Sequence, residues 1–458
     1  MSMPWFRATL LNLLAGAAVW SASPLSPVLR QESFEVQPDA EVIAVITAAC
    51  PGCDWGRVGR EGALLRLEVD GRYSQHLFLT RGPGKAEYRV LLGSFPPGRH
   101  VLTLTRDAEG SAPSAEASIS HLAFVEVAAA APEHDALARA PIVYARPNTI
   151  GRFTDVPLIM WYETEATVRG SLIRYSVIFS NEDGGTPPDR LLATWGRLTD
   201  IEYIYGIEFD REGRVFEETF QGKDHKIVPF NGKREGRHPL LYVVTDNNMV
   251  GDAGVTTQRY AMAPIPFDLT SLSREAVMDA NPWTYAVTAR EARREGRVVA
   301  SPRPGSKKIF DPSRYAVLEA CASPADGPYA TFSFSIGVKD DRGKVRFYDS
   351  TAGVREYRIS RSPDNFPNGC FRGAVALPRG AKAKDVAALR MRAHTRVPGK
   401  GEEAPMKRSG PARLLHVNRL FLMASKDAPE PSLFSWSGDE PLILDADPVT
   451  LEIRPSRR

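Results

Sequence analysis

Cysteine, histidine, long apolar runs and an excess of charge of one sign are all scarce in this chain of 458 residues. Its 58 Lys and Arg against 55 Asp and Glu leave a net charge of +3, too small a field to draw the whole protein to nucleic acid. No apolar run approaches the roughly 20 residues of a membrane helix, so no stable span is expected beyond a possible N-terminal anchor. The chain lacks a P-loop, and no G-x-G-x-x-G follows a strand, which excludes the common nucleotide folds; Gly232 and Gly236 have no Lys-Ser or Lys-Thr after them. It also lacks a G-x-S-x-G elbow and the strand-helix alternation that would hold one, which excludes the usual serine hydrolase.

The cysteines number only 4, and no second ligand pair is spaced for zinc. They suit two disulfides in an oxidising compartment, Cys50 with Cys53 and Cys321 with Cys370. A redox CxxC opens a helix after a strand, whereas ACPGCDW precedes the turn-rich DWGRVGREG. Arg7, the apolar run Ala8 to Trp20 and small residues through Ser23 have the layout of a secretory signal over residues 1–23. A retained anchor and cleavage after Ala18 both remain open. Secretion or a periplasmic location follows.

A chain of this length exceeds the roughly 250 to 300 residues at which a single core stops growing, so several domains are expected. Between Glu41 and Val127 the pattern has period two: Leu65, Leu67 and Val69 alternate with Arg66, Glu68 and Asp70, and Asp70-Gly71 supplies a hairpin turn. Alternation returns at Tyr88, Val90 and Leu92, and again from Val101 to Thr105. Short strands at this spacing predict a β-sandwich over 24–131. LEVDGRYSQHLFLTRG and YRVLLGSFPPGRHVLTL resemble the small accessory sandwiches beside catalytic domains of secreted carbohydrate-active proteins.

The small-residue stretch Ala128 to Pro132 reads as a linker to a central β domain over 132–300, with strands near Ile142 to Ala145, Leu158 to Tyr162, Ile173 to Ser180, Ile201 to Asp210 and Arg214 to Phe220. Helix is expected chiefly between Ser273 and Arg297, broken at Pro282, and Arg290, Arg293, Arg294 and Arg297 predict a basic face read as solvated, with a binding surface as the alternative. A C-terminal β-sandwich over 301–458 is read from Phe332, Phe334, Ile336 and Val338, a turn at Asp340 to Gly343, and strands Val345 to Tyr348 and Leu414 to Met423. Between them, Arg396 to Ala412 is expected to be a mobile loop. The fold expected is mainly β, two or three antiparallel sandwiches with one short helical segment.

RYSVIFSNEDGGTP, ATWGRLTDIEYIYGIEFD, EETFQGKDHK and GRHPLLYVVTDNNM carry the polar clusters. Their order resembles that of necrosis-inducing-like secreted cytolysins and the vacuolar sorting 62-like family. The resemblance implies that Asp200 and Glu202, with Glu182 or Asp183 from the preceding acidic turn, hold a metal, and that His225 supplies a later histidine; Leu198 and Thr199 stand where that family has histidines. From the residues alone, Asp200 and Glu202 are two apart on a strand and share a face, where an acidic turn would complete an oxygen-rich Ca²⁺ or Mg²⁺ site. The plainer alternative is a pair of carboxylates on an exposed strand face.

Three functions follow as expectations. The first is binding of a glycan or cell-surface polymer, with Trp195, Tyr203 and His225 as ligand contacts and a divalent cation as cofactor. The second is a polysaccharide hydrolase or lyase, with Glu163 and Glu202 as the carboxylate pair and Glu165, Glu208, Glu217 and Glu218 as further candidates. The third is a membrane-active protein, which needs an exposed apolar rim beside the acidic turn.

Overall fold

The computed structural model describes residues 27–38, 40–323, 330–360, 369–396 and 412–453. The expected export segment, and all but the ends of the loop expected between Arg396 and Ala412, lie outside the described residues. The rest is mainly β, with antiparallel sheets in three lobes and a few short helices.

The first lobe contains β1 (Val28–Val36), β2 (Glu41–Ala49), β3 (Ala63–Val69), β4 (Arg72–Leu79), β5 (Ala86–Ser94), β6 (Gly98–Asp107) and β7 (Ser118–Val127). Two sheets, ordered β1-β6-β3-β4 and β5-β2-β7, close over Leu64, Leu65, Leu67, Leu102 and Leu104. Their alternation is the one read above, and Asp70 and Gly71 take left-handed φ of 51° and 72° at the β3–β4 turn. Cys50 and Cys53 are disulfide-bonded and buried in this core beside Trp55.

The linker leads through α1 (His134–Ala138) to the central lobe. Its strands are β8 (Ile142–Tyr144), β9 (Pro157–Ala166), β10 (Gly170–Phe179), β11 (Asp200–Asp210), β12 (Val215–Gln221), β13 (Ile227–Pro229), β14 (Arg234–Glu235), β15 (His238–Val243), β16 (Val250–Gly251), β17 (Arg259–Tyr260) and β18 (Ile265–Pro266). A six-stranded sheet, β13-β12-β11-β10-β9-β18, packs on a smaller one, β14-β15-β8-β17, around Tyr175, Val177, Tyr205 and Leu241. Two pairings, β8 with β15 and β9 with β18, are parallel rather than antiparallel.

A helix absent from the sequence reading, α2 (Pro188–Trp195), lies between β10 and β11. Pro188 at its first turn has no N–H to lose, and Gly196 ends it at a left-handed φ of 64°. Past β18, α3 (Ala276–Ala280) and α4 (Trp283–Arg294) fall where helix was expected, on either side of Pro282.

The basic face of α4 is not the solvated face expected. Arg293 reaches Asp311 at 3.0 Å and Asp427 at 2.6 Å, and Arg294 donates to the carbonyls of Trp55 and Phe153 at 2.9 and 2.5 Å. Arg297 pairs with Glu295 at 2.5 Å and approaches Asp183 at 3.6 Å. Guanidinium forks presented to carboxylates and carbonyls of three lobes make α4 a clamp.

The third lobe comprises β19 (Tyr315–Ser323), β20 (Ala330–Lys339), β21 (Val345–Asp349), β22 (Ile359–Ser360), β23 (Cys370–Ala376), β24 (Val386–Thr395), β25 (Ala412–Leu422), β26 (Phe434–Leu442) and β27 (Val449–Glu452). Sheets β23-β19-β25-β26 and β21-β20-β24-β27 enclose Phe332, Phe334, Phe371 and Leu389. Cys321 and Cys370 stand opposite each other on β19 and β23 and form the second disulfide.

Candidate functional site

One face of the six-stranded sheet packs on the central core. Its other face is covered only at one end, where Ile159, Trp161, Ile178 and Ile201 meet α3, α4 and the third lobe. The remainder is open and floors a groove of about 1020 Å³, walled by β13 on one side and by residues 266–274 on the other. Hydrogen-bonding side chains, among them Glu163, Arg174, Ser176, Glu217, Thr219 and Gln221, line it.

Tyr203 is the aromatic of this floor. A Cβ at Gly206 would run into the Tyr203 hydroxyl, so the glycine permits the ring to lie flat along the sheet, and that hydroxyl is 3.2 Å from Thr219 Oγ1. Glu163, half-buried in the groove, has its carboxyl pushed above the usual range by burial, countered in part by Arg274 and Arg174. Arg174 in turn holds Glu165 at 3.1 Å.

At the covered end lies a buried acid network. Asp200 and Glu202, expected on an exposed strand face, are 1% and 8% exposed, because β11 is an inner strand covered on both faces at this point. Gln221 joins network and groove: its Nε2 donates to Glu202 Oε2 at 2.7 Å and lies 3.2 Å from His225 Nδ1. Arg197 is 3.7 Å from Asp200 and 3.1 Å from Glu275. Glu182 accepts from the Thr186 amide, and Gly185 is needed there because a Cβ would overlap the Glu182 carboxylate.

Burial pushes all three acids up: Glu182 to about 8 and Glu202 well above its usual value, both also repelled by Asp200, and Asp200 itself by burial alone against the pull of Arg197. Asn248, fully buried at a left-handed φ of 55°, donates to Asp200 Oδ2 at 2.9 Å and to the Asn181 carbonyl at 3.1 Å. Among the described residues its Oδ1 has no hydrogen-bond partner.

The expected site residues are thus only partly assembled. Glu182, Asp200 and Glu202 share one network, but Asp183 belongs to another, bonded to Thr154 at 2.8 Å and to Arg146 at 3.2 Å beside Asp155 and Asp246. Among the described residues, no three acidic, histidine or cysteine side chains stand ready to enclose a cation. Glu163 lines the groove whereas Glu202 lies behind Gln221, so the two carboxylates do not face a common cleft. Trp195 packs against the third lobe's core with Arg197 over its ring at 5.8 Å, away from the groove; His225 is exposed on a turn. His238, the other histidine of these segments, is buried and bonded to the Ala140 carbonyl at 2.9 Å.

Gln221, Arg274 and Asn248 were not singled out from the sequence. Asn248 had a local signal in the turn-forming TDNN, while Gln221 and Arg274 had none. No protein-family model matches the chain, and no curated protein is a significant match to it.

Proposed function

We propose that this is an exported glycan-binding protein whose ligand lies in the groove of the central lobe. The observation that carries the reading is Tyr203, laid flat over Gly206 in a floor that sets hydrogen-bonding groups such as Arg174, Ser176, Thr219 and Gln221 beside the apolar Leu172. A sugar ring offers an apolar C–H face to a π-surface and hydroxyls around its rim, which this combination of platform and polar border complements. The two disulfides fit an oxidising compartment, and no described helix is long and apolar enough to cross a membrane. Calorimetric titration against neutral and charged oligosaccharides tests the proposal. Tyr203→Ala is expected to abolish the heat of binding while leaving the melting temperature close to that of the parent; a flat response from the parent across the whole panel overturns it.

A divalent cation is proposed as an accessory to this site. Asn248 Oδ1, buried and unpartnered beside Asp200, is the observation favouring it, since a neutral oxygen next to carboxylates suits Ca²⁺ or Mg²⁺. Hydrolysis is the second functional reading, favoured by Glu163, whose raised carboxyl faces the groove as a general acid would. Turnover lost in Glu163→Gln, with binding retained, would establish it. The membrane-active reading asked for an apolar rim beside the acidic turn; exposed Val168 and Phe216 lie instead at the opposite end of β10.

A further inference from the structure

Strand β9 is paired with β10 along its whole length, from Phe179 opposite Pro157 to Ser171 opposite Ala166. On its other side, among the described residues, it pairs only with the two residues of β18, Ile265 opposite Trp161 and Pro266 opposite Tyr162. The Phe267 amide then donates to the Tyr162 carbonyl at 3.0 Å and the chain departs. Main-chain groups alternate sides along a strand, so with the Tyr162 carbonyl facing outward, those of Thr164 and Ala166 face outward too. Among the described residues no backbone or side-chain group bonds to them.

Protein edges of this kind are ordinarily blunted by proline, a bulge or an outward lysine. Here the two outward positions are Thr164 and Ala166, both exposed, and the pairing with β10 is regular across them. The edge is also flanked on each face by a hollow. The groove lies on one side, and on the other a crevice of about 700 Å³ opens between the first and central lobes. Tyr162, Thr164 and Pro266 border both.

A strand laid beside β9 points alternate side chains into these two hollows. On the groove side they meet Glu163, Glu165, Glu208, Glu217 and Asp268 against only Arg174 and Arg274, an excess of negative charge. On the crevice side they meet mainly apolar groups, among them Ile43, Val125, Val127 and Ile173.

We propose that the open edge of β9 at Thr164 and Ala166 is a docking site for an extended peptide, which adds as a strand and alternates basic residues toward the groove with apolar residues toward the crevice. Main-chain bonds supply the affinity and the two hollows supply the selectivity.

The test uses the full chain and a fluorescent capped octapeptide of alternating Lys and Val, read by anisotropy. Two further peptides carry N-methyl groups either on every Lys or on every Val. In a bound strand all amides of one set face β9 and all of the other face solvent. One isomer is therefore expected to bind about tenfold or more weakly, as loss of a few net hydrogen bonds requires, and the other like the parent. Equal binding of both isomers would mean charge attraction alone and overturns the proposal, as does equal loss in both or failure of the parent peptide to bind. Thr164→Pro, which removes an outward amide without touching the β10 ladder, is expected to weaken the parent peptide by a similar factor.

Discussion

Gln221 Nε2 stands 2.7 Å from Glu202 Oε2, so a side chain of the groove floor is also the hydrogen-bond donor of a buried acid. Ligand contact on one side of that amide and the charge state of the network on the other share a single group. Gln221→Leu is expected to leave the Glu202 oxygen without its partner and to lower stability by about 1–3 kcal/mol. A reduced denaturant midpoint with an unchanged slope is the outcome that checks it.

Glu291 on α4 sets a pH dependence. Fully buried, it accepts from Trp55 Nε1 at 2.8 Å, and burial, then repulsion from Glu295, pushes its carboxyl up to about 7. Between the ordinary glutamate value and about 7 the folded protein keeps a proton that the unfolded chain has lost. Stability therefore falls as pH rises through that window, by about 1.4 kcal/mol per unit at most from this group. Asp155, pushed up to about 9 mainly by burial and by Asp183, acts in the same direction up to a higher pH. Denaturation at pH 5 and pH 8 is expected to show the parent less stable at the higher pH, with the difference reduced in Glu291→Gln.

Cation binding to the Asp200 network would appear as a rise in melting temperature with millimolar Ca²⁺ or Mg²⁺, larger at alkaline than at acid pH because the carboxyls must first lose their protons. Asp200→Asn is expected to remove the rise. An unchanged melting temperature in the parent would sink the cation and leave the glycan reading intact.

Arg372, with 0% exposure, stands between Glu319 at 2.5 Å and Asp279, and donates to the Tyr285 hydroxyl at 2.9 Å. Arg372→Met leaves Glu319 without its guanidinium partner, and Asp279 with Arg419 at 2.7 Å as its remaining one, at the junction of α3 with the third lobe. Loss of one partner of a buried ion network costs about 3–5 kcal/mol, so this variant is expected to show a large fall in denaturation midpoint or to accumulate poorly.

Much of the β structure was legible because it is local. Leu65, Leu67 and Val69 alternate with polar neighbours, Asp70-Gly71 makes the turn, and strands near Ile173 to Ser180 and Ile201 to Asp210 were placed within a few residues of β10 and β11. The helix α2 was missed, since its 8 residues start at Pro188, directly after Pro187, and give too short a window for a helical period. The site was only half legible. Tyr203, Glu163, Asp200 and Glu202 were named, but Gln221 and Arg274 come from other elements and join the first group through pairing that no sequence spacing reports.

By itself the sequence determined the mainly β class, the strand alternation and the break at Pro282, because these depend on neighbours two to four residues apart. Only the tertiary structure decided that Asp200 and Glu202 are buried rather than exposed, that Asp183 pairs with Arg146, and that the arginines of α4 clamp three lobes. Burial and ion pairing depend on which surfaces meet across the fold, and residues far apart in the chain, such as Trp55 and Glu291, meet only once the lobes have packed.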